Sequence, residues 1–142
     1  MRRLAAALAL CATMIGCAES SATFTLPTTD ANVTGTFSLV AANGQPLPIV
    51  AQLTPTEQWN LSADKLVLDT LGKWTETTTY TVLTLASGAT RDTLANTIGT
   101  YAIANGQINF IVTTPPGGGF TGSVTGKTLT LLYSGGTFQY TR

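Results

Sequence analysis

The sequence predicts an all-β protein, an antiparallel barrel or sandwich of about eight strands. Short runs that alternate apolar and polar residues recur after Val33, and Gly, Asn and Pro separate them. Thr, which suits a pleated surface, is abundant, whereas the helix formers Glu, Lys, Gln and Arg are scarce. The triplet Gly-Thr-aromatic recurs at residues 35–37, 99–101 and 136–138, as expected for repeated hairpins. Closure into a barrel would remove the edges that a weakly charged sheet exposes to aggregation.

The first predicted strands lie between turn-forming residues. Residues 35–40 form the first, and Asn43-Gly44, a typical hairpin turn, follows it. Residues 47–53 form the second, with prolines at its entrance. Residues 58–63 and 65–69 are predicted as one bent strand or as two short strands.

The remaining strands continue the alternation to the end of the chain. In residues 73–85, the side chains of Trp74, Thr78, Tyr80 and Val82 share a face at period two. Asn105-Gly106 is a second predicted turn, and residues 115–119 form a flexible turn or rim. The sequence pattern of residues 94–98 is compatible with either a helix or a strand. The further predicted strands are 91–103, 107–113, 120–124, 127–133 and 137–142.

The first 16 residues are predicted to be a signal peptide. Met1-Arg2-Arg3 gives a positive start, and residues 4–15 are an apolar stretch of twelve residues. A helix that spans a bilayer needs about 20 residues. The stretch therefore fits a cleaved secretory leader better than a membrane anchor.

The leader ends in Met14-Ile15-Gly16-Cys17, which resembles the lipobox of bacterial lipoproteins. The resemblance implies cleavage after Gly16, lipid attached to the Cys17 sulfur, and a chain held to a membrane of the bacterial cell envelope. Several acyl chains together make a stable anchor, whereas one does not. Ala18 after the cysteine favours the outer membrane if the organism has two. The alternative is an ordinary secretory signal cut near Cys17-Ala18-Glu19.

The mature chain divides into a tether and one folded domain. Residues 17–32 carry the lipidated cysteine and are rich in Ser, Thr and Ala, so we expect a flexible tether. Residues 33–142 are long enough for one modest core and too short for two. We assign them to a single barrel domain.

The order of several weak motifs resembles the small lipocalin-like barrels of bacterial lipoproteins. The motifs are Gly35-Thr36-Phe37 with the following Asn43-Gly44, then Gly72-Lys73-Trp74, Gly99-Thr100-Tyr101 and the closing segment 136–142. Lipocalins open with Gly-x-Trp and close with a basic residue over that ring; here Phe37 stands for the Trp, and the Thr-Asp-Tyr turn motif is missing. The resemblance implies an antiparallel up-and-down barrel of about eight strands. It also implies that Phe37 and Arg142 close the barrel through a cation–π contact of about 0.5–2 kcal/mol.

Composition excludes several classes of function. The chain has no histidine, which removes the commonest general base and the commonest zinc ligand. After cleavage, five basic and seven acidic residues leave a formal charge of −2, which argues against nucleic-acid binding. Cys17 would be the single mature thiol, so no internal disulfide is expected. No catalytic group, metal or cofactor is predicted.

Few residues are candidates for chemistry. Asp64, Asp69 and Glu76 lie close in sequence, but we expect solvated strand ends rather than paired catalytic carboxylates. An enzyme would need carboxylates that converge in a cleft, and none is expected. Arg91 and Asp92 are predicted to be a surface pair.

Seven aromatic residues are candidates for a ligand cavity or for the core: Phe37, Trp59, Trp74, Tyr80, Tyr101, Phe110 and Tyr133. Two functions remain open. A barrel with a cavity of about 300 Å³ or more would bind a small apolar ligand. A fully packed barrel would be a structural lipoprotein or bind an envelope protein.

Overall fold

The computed structural model describes residues 33–142, which contain ten β-strands. The strands are β1 (Gly35–Ala42), β2 (Gln45–Pro46), β3 (Ile49–Leu53), β4 (Glu57–Leu68), β5 (Lys73–Thr84), β6 (Thr90–Ala104), β7 (Gln107–Thr114), β8 (Gly119–Thr125), β9 (Thr128–Tyr133) and β10 (Gly136–Thr141). The ambiguous residues 94–98 lie within β6. The predicted signal helix, the tether and Cys17 lie outside the described residues. Within the described range, no helix has the length and apolarity needed to cross a membrane.

Eight of the strands form a closed antiparallel barrel. Neighbouring strands pair in the order β1-β10-β9-β8-β7-β6-β5-β4, and β4 pairs back to β1. Each strand from β4 to β9 pairs with the next strand along the chain, so the barrel has up-and-down connections. The predicted all-β class and strand number are confirmed.

The hairpin turns follow from residues that tolerate positive φ. Asn43 and Gly44 have φ of 51° and 75°, and Asn105 and Gly106 have 53° and 75°. These pairs make the tight turns expected for right-twisted hairpins. A third turn of this kind, at Ser134-Gly135, has φ of 49° and 79° and was not predicted.

The closing seam between β1 and β4 is paired along only part of its length. Gly35 to Ser38 pair with Leu68 to Lys65, whereas the first half of β4 pairs with β3 instead. The strand predicted at 47–53 is β3, which begins two residues later, at Ile49. Pro48 has no N–H for the ladder and lies between β2 and β3. Leu47 and Ile49 pack against the core beside this break.

β4 resolves the choice between one bent strand and two. It runs unbroken for 12 residues, with a shift in its pairing to β5 between Leu61 and Ala63. Such a bulge adds a residue and bends the strand. After it, Asp64, Leu66 and Leu68 are the buried members of the alternation.

The core fills one end of the barrel, here called the packed end, where the turns 69–72, 105–106 and 126–127 lie. Its largest fully buried side chains include Trp74, Phe37 and Phe110. The Trp74 indole donates to the Thr100 carbonyl at 3.0 Å and lies 5.9 Å from the Phe110 ring centroid.

The packed end is closed by the last residue of the chain. The guanidinium carbon of Arg142 lies 5.0 Å from the centroid of the Phe37 ring, the pair that the lipocalin resemblance assigned to closure. The same guanidinium donates to the Thr34 carbonyl at 2.7 Å. Arg142 thereby connects the beginning of β1 to the end of β10.

Candidate functional site: a cavity with two buried carboxylates

A cavity of about 380 Å³ occupies the half of the barrel opposite the packed end. That half is bounded by the turns 43–44, 85–89, 115–118 and 134–135, here called the open end. Exposed turn residues from Pro115 to Gly118 border the cavity. A volume of this size falls within the range of small-molecule pockets, about 300–1,000 Å³.

Apolar and aromatic side chains make most of the cavity wall. They project inward from β4 and β7 to β10 because each lies on the inner face of its strand. Phe120 connects this wall to the core, since its ring stacks on Phe110 at 4.7 Å and meets Tyr133 at 5.5 Å. The members are Leu61, Val112, Phe120, Leu131, Tyr133 and Phe138.

Asp64 is a deeply buried carboxylate of the site. Its side chain is 8% exposed, and the bulge in β4 places it on the inner face between Leu61 and Leu66. Oδ2 accepts a hydrogen bond from the Thr78 hydroxyl at 2.7 Å, directly across the β4–β5 pair. Oδ1 is buried and has no hydrogen-bond partner among residues 33–142. A buried oxygen in this state needs a proton, a water or a ligand donor.

Glu76 is the second carboxylate of the cavity. It lies two positions along β5 from Thr78, diagonal to Asp64 on the same face. Tyr140 reaches it from β10 and donates to Oε1 at 3.3 Å, and Thr97 lies directly opposite it on β6. Strands β6 and β10 therefore supply the polar groups nearest Glu76.

The two carboxylates have no basic neighbour in the cavity, because none of the lining residues is Lys or Arg. Burial, and secondly the negative charge of Glu76, raises the pKa of Asp64 to about 7, while the nearby hydroxyls of Thr78 and Tyr140 oppose the rise. Burial also raises the pKa of Glu76, against hydrogen bonds from Tyr140 and Thr97. Near neutral pH the pair therefore keeps a share of a proton.

Tyrosines around the carboxylates stay neutral. Burial and the nearby charges of Asp64 and Glu76 raise the pKa of Tyr140 well above its ordinary value. The same causes raise the pKa of Tyr80, which also lines the cavity. Both hydroxyls keep their protons and can donate hydrogen bonds to a carboxylate.

The seven predicted aromatic residues separate into three groups. Phe37, Trp74, Tyr101 and Phe110 belong to the buried core and do not line the cavity. Tyr80 and Tyr133 are cavity residues, although Tyr133 is 52% exposed.

Trp59, the seventh aromatic residue, is partly buried near the open end. Its ring meets Tyr80 edge-on at 5.9 Å, and its Nε1 donates to Glu57 at 3.1 Å. Arg91 forms an ion pair with Glu57 at 2.8 Å and lies over the Trp59 ring. The predicted pairing of Arg91 with Asp92 was wrong, because adjacent residues of a strand point to opposite faces; Asp92 instead accepts from Thr81 at 2.9 Å.

The expectation of solvated carboxylates without convergence was also wrong. Asp69 does lie in a turn, where its side chain accepts from the backbone N–H groups of Leu71 and Lys73. Asp64 and Glu76, however, meet inside the barrel. The sequence does indicate that Glu76 points inward, because it lies two positions from each of the inward residues Trp74 and Thr78 and therefore shares their face of the strand. Sequence reasoning also missed Phe120, Phe138 and Tyr140.

The donor set is too small for a dense metal centre. Among the described residues, no group of three or more His, Cys, Asp or Glu side chains comes together. Comparisons with protein-family models, curated proteins and solved structures give no match for this chain. The function of the protein is therefore inferred from the geometry of the cavity.

Proposed function

We propose that this protein is a lipid-anchored lipoprotein of the bacterial envelope whose barrel binds a small ligand. The cavity of about 380 Å³ is the observation that carries the binding part of the proposal. It exceeds the volume at which small-molecule binding is favoured, about 300 Å³. A fully packed barrel, required by the structural alternative, has no such space.

The cavity also fits the chemistry of a small-molecule site. Apolar and aromatic walls supply most of the contact, while a few convergent polar groups orient the ligand. Asp64, Glu76, Thr78 and Tyr140 are those polar groups. A cavity of this size forgoes side-chain packing that would stabilise a small domain, which favours a role in binding.

The anchoring part of the proposal depends on the sequence around Cys17. We expect labelled palmitate to appear on the full-length protein and to be lost in Cys17→Ser. Cys11→Ser is the matched control, because Cys11 lies in the leader and its replacement leaves the lipobox intact. Labelling that survives in Cys17→Ser, or that is missing from the unmodified protein, would exclude the anchor.

Ligand binding is tested by native mass spectrometry of the full-length protein purified from its host and released from detergent. The expected result is a small molecule that co-purifies with the unmodified protein. Val112→Trp should lose it, because position 112 lines the cavity. Ile111→Trp should retain it, because Ile111 is 58% exposed on the outer face of the same strand. Equal occupancy in the two variants would count against the cavity as the binding site.

A further inference from the structure

We infer that the ligand of this cavity is a small amine, bound as an ammonium ion whose N–H groups meet Asp64 and Glu76 while its apolar part contacts the aromatic wall. The inference rests on the proposed function and names the class of ligand. It narrows the small apolar ligand predicted from the sequence, because a purely apolar molecule would leave both carboxylates without a positively charged partner.

The unpartnered oxygen of Asp64 is the first observation behind the inference. The side chain is more than nine-tenths buried, it lines the cavity, and Oδ1 accepts no hydrogen bond from residues 33–142. An ammonium group carries three donors and no acceptor, whereas a hydroxyl carries one donor. An amine can therefore satisfy Asp64 and still donate to Glu76.

The charge of the cavity is the second observation. Asp64 and Glu76 carry the formal charges of the lining residues, and no basic side chain lines the cavity to balance them. The hydroxyls of Thr78 and Tyr140 supply hydrogen bonds without charge. A single positive charge on the ligand would replace the proton that the pair otherwise holds.

The position of the carboxylates is the third observation. Asp64 is followed along its strand face by the buried Leu66, and Glu76 is preceded by the buried Trp74. The charged groups therefore lie at the inner end of the cavity, against the packed end of the barrel. Phe120, Tyr133 and Phe138 lie on the cavity wall nearer the open end. A molecule with an ammonium group at one end and an aromatic or aliphatic body matches this arrangement.

The test compares three probes of similar size: 2-phenylethylammonium, 2-phenylethanol and 3-phenylpropanoate. Each is measured by equilibrium dialysis at pH 8 against the full-length protein in a non-ionic detergent. We expect the ammonium to bind at least about tenfold tighter than the alcohol, and the carboxylate to bind most weakly, because like charges repel.

Variants of similar shape locate the preference. In the Asp64→Asn, Glu76→Gln double variant, the ammonium and the alcohol should bind equally, since both side chains become neutral without a change in size. The alcohol should bind the variant as well as it binds the unmodified protein, which also shows that the variant is folded. Asp92→Asn is the matched control: it removes one exposed carboxylate outside the cavity and should keep the full preference.

Binding of the ammonium should also weaken at low pH. The groups that face the site are Asp64, Glu76, Tyr80, Tyr133 and Tyr140, and none of them is basic. Since protonation of Asp64 competes with the ligand, the affinity should fall on the order of 10- to 100-fold between pH 8 and pH 5. The affinity for the alcohol should change little.

Several outcomes would overturn the inference. Equal binding of ammonium and alcohol by the unmodified protein would do so, as would a preference that survives in the double variant. In either case, loss of alcohol binding in Val112→Trp would show that the cavity still binds a ligand. The proposed binding function would then stand, and only the ligand class would be wrong. Failure of all three probes, together with the lack of a co-purifying molecule, would reject both proposals. Ca²⁺ binding that depends on Asp64 and Glu76, without amine binding, would assign the site to a metal instead.

Discussion

Replacement of Asp64 by Asn should make the protein more stable at pH 8 and leave its stability at pH 4 almost unchanged. In the folded protein the pKa of Asp64 is raised from 3.8 to about 7, chiefly by burial. Because the raised value belongs to the folded state, folding favours the protonated carboxyl. The unfolded chain gives up that proton at lower pH, so stability decreases as pH rises from about 4 to about 7.

The size of this effect follows from the shift. One pKa unit corresponds to about 1.4 kcal/mol, so a rise of about three units costs up to about 4 kcal/mol above pH 7. Asn is neutral at every pH and can still accept from the Thr78 hydroxyl. We therefore expect the free energy of unfolding of Asp64→Asn to exceed that of the unmodified protein by about 2–4 kcal/mol at pH 8. At pH 4 the two should agree within about 1 kcal/mol.

Urea denaturation followed by tryptophan fluorescence measures this difference, since Trp59 and Trp74 lie in the barrel. Glu76, whose pKa is also raised, contributes to the pH dependence of stability in both proteins. Its contribution largely cancels when the two unfolding free energies are subtracted. Asp92→Asn removes an exposed carboxylate and should change stability by no more than about 0.5 kcal/mol at either pH. A loss of stability in Asp64→Asn that is the same at pH 4 and pH 8 would refute the reasoning.

Two further predictions concern the packed end. Gly99→Ala should destabilise the barrel by more than about 3 kcal/mol in the same urea assay, because a Cβ would lie 2.0 Å from the Ile111 carbonyl oxygen and 2.5 Å from the Trp74 indole nitrogen. The control Gly118→Ala should be nearly neutral, because a Cβ there meets nothing within 4 Å. Equal effects of the two substitutions would contradict this packing. Arg142→Gln should cost about 1–2 kcal/mol, since it removes the contact with Phe37 and weakens the bond to the Thr34 carbonyl; an unchanged denaturation midpoint would show that Arg142 does not stabilise the barrel.

The fold could be predicted because local residue chemistry determines most of it. Asn43-Gly44 and Asn105-Gly106 supply the positive φ values of hairpin turns, and alternation assigns one face of each long strand to the interior. The start of β3 was predicted two residues too early, at Leu47, because apolar residues on both sides of Pro48 extend the strand pattern although Pro48 has no N–H donor.

The site was harder to predict because its residues come together only when the barrel closes. Tyr140 lies 64 residues from Glu76 and reaches it because β10 pairs with β1 and β1 pairs with β4. That registry cannot be obtained from local patterns. Asp64 was misassigned for another reason: carboxylates are usually solvated, so the general preference outweighed its position on an inward face.

The interior of the barrel changes character along its axis, and this change supports a functional role for the carboxylates. Near the packed end, inward positions are apolar, as at Leu66, Leu68 and Trp74. One alternation further along the same strands they become Asp64 and Glu76, where the cavity begins. Apolar residues at these positions would avoid the cost of burying charge, and replacement of buried ionic groups by apolar ones is often neutral or stabilising. Proteins commonly accept lower stability at sites that bind or react. A costly pair of carboxylates that coincides with the cavity is therefore better explained by a positively charged ligand than by the needs of the fold.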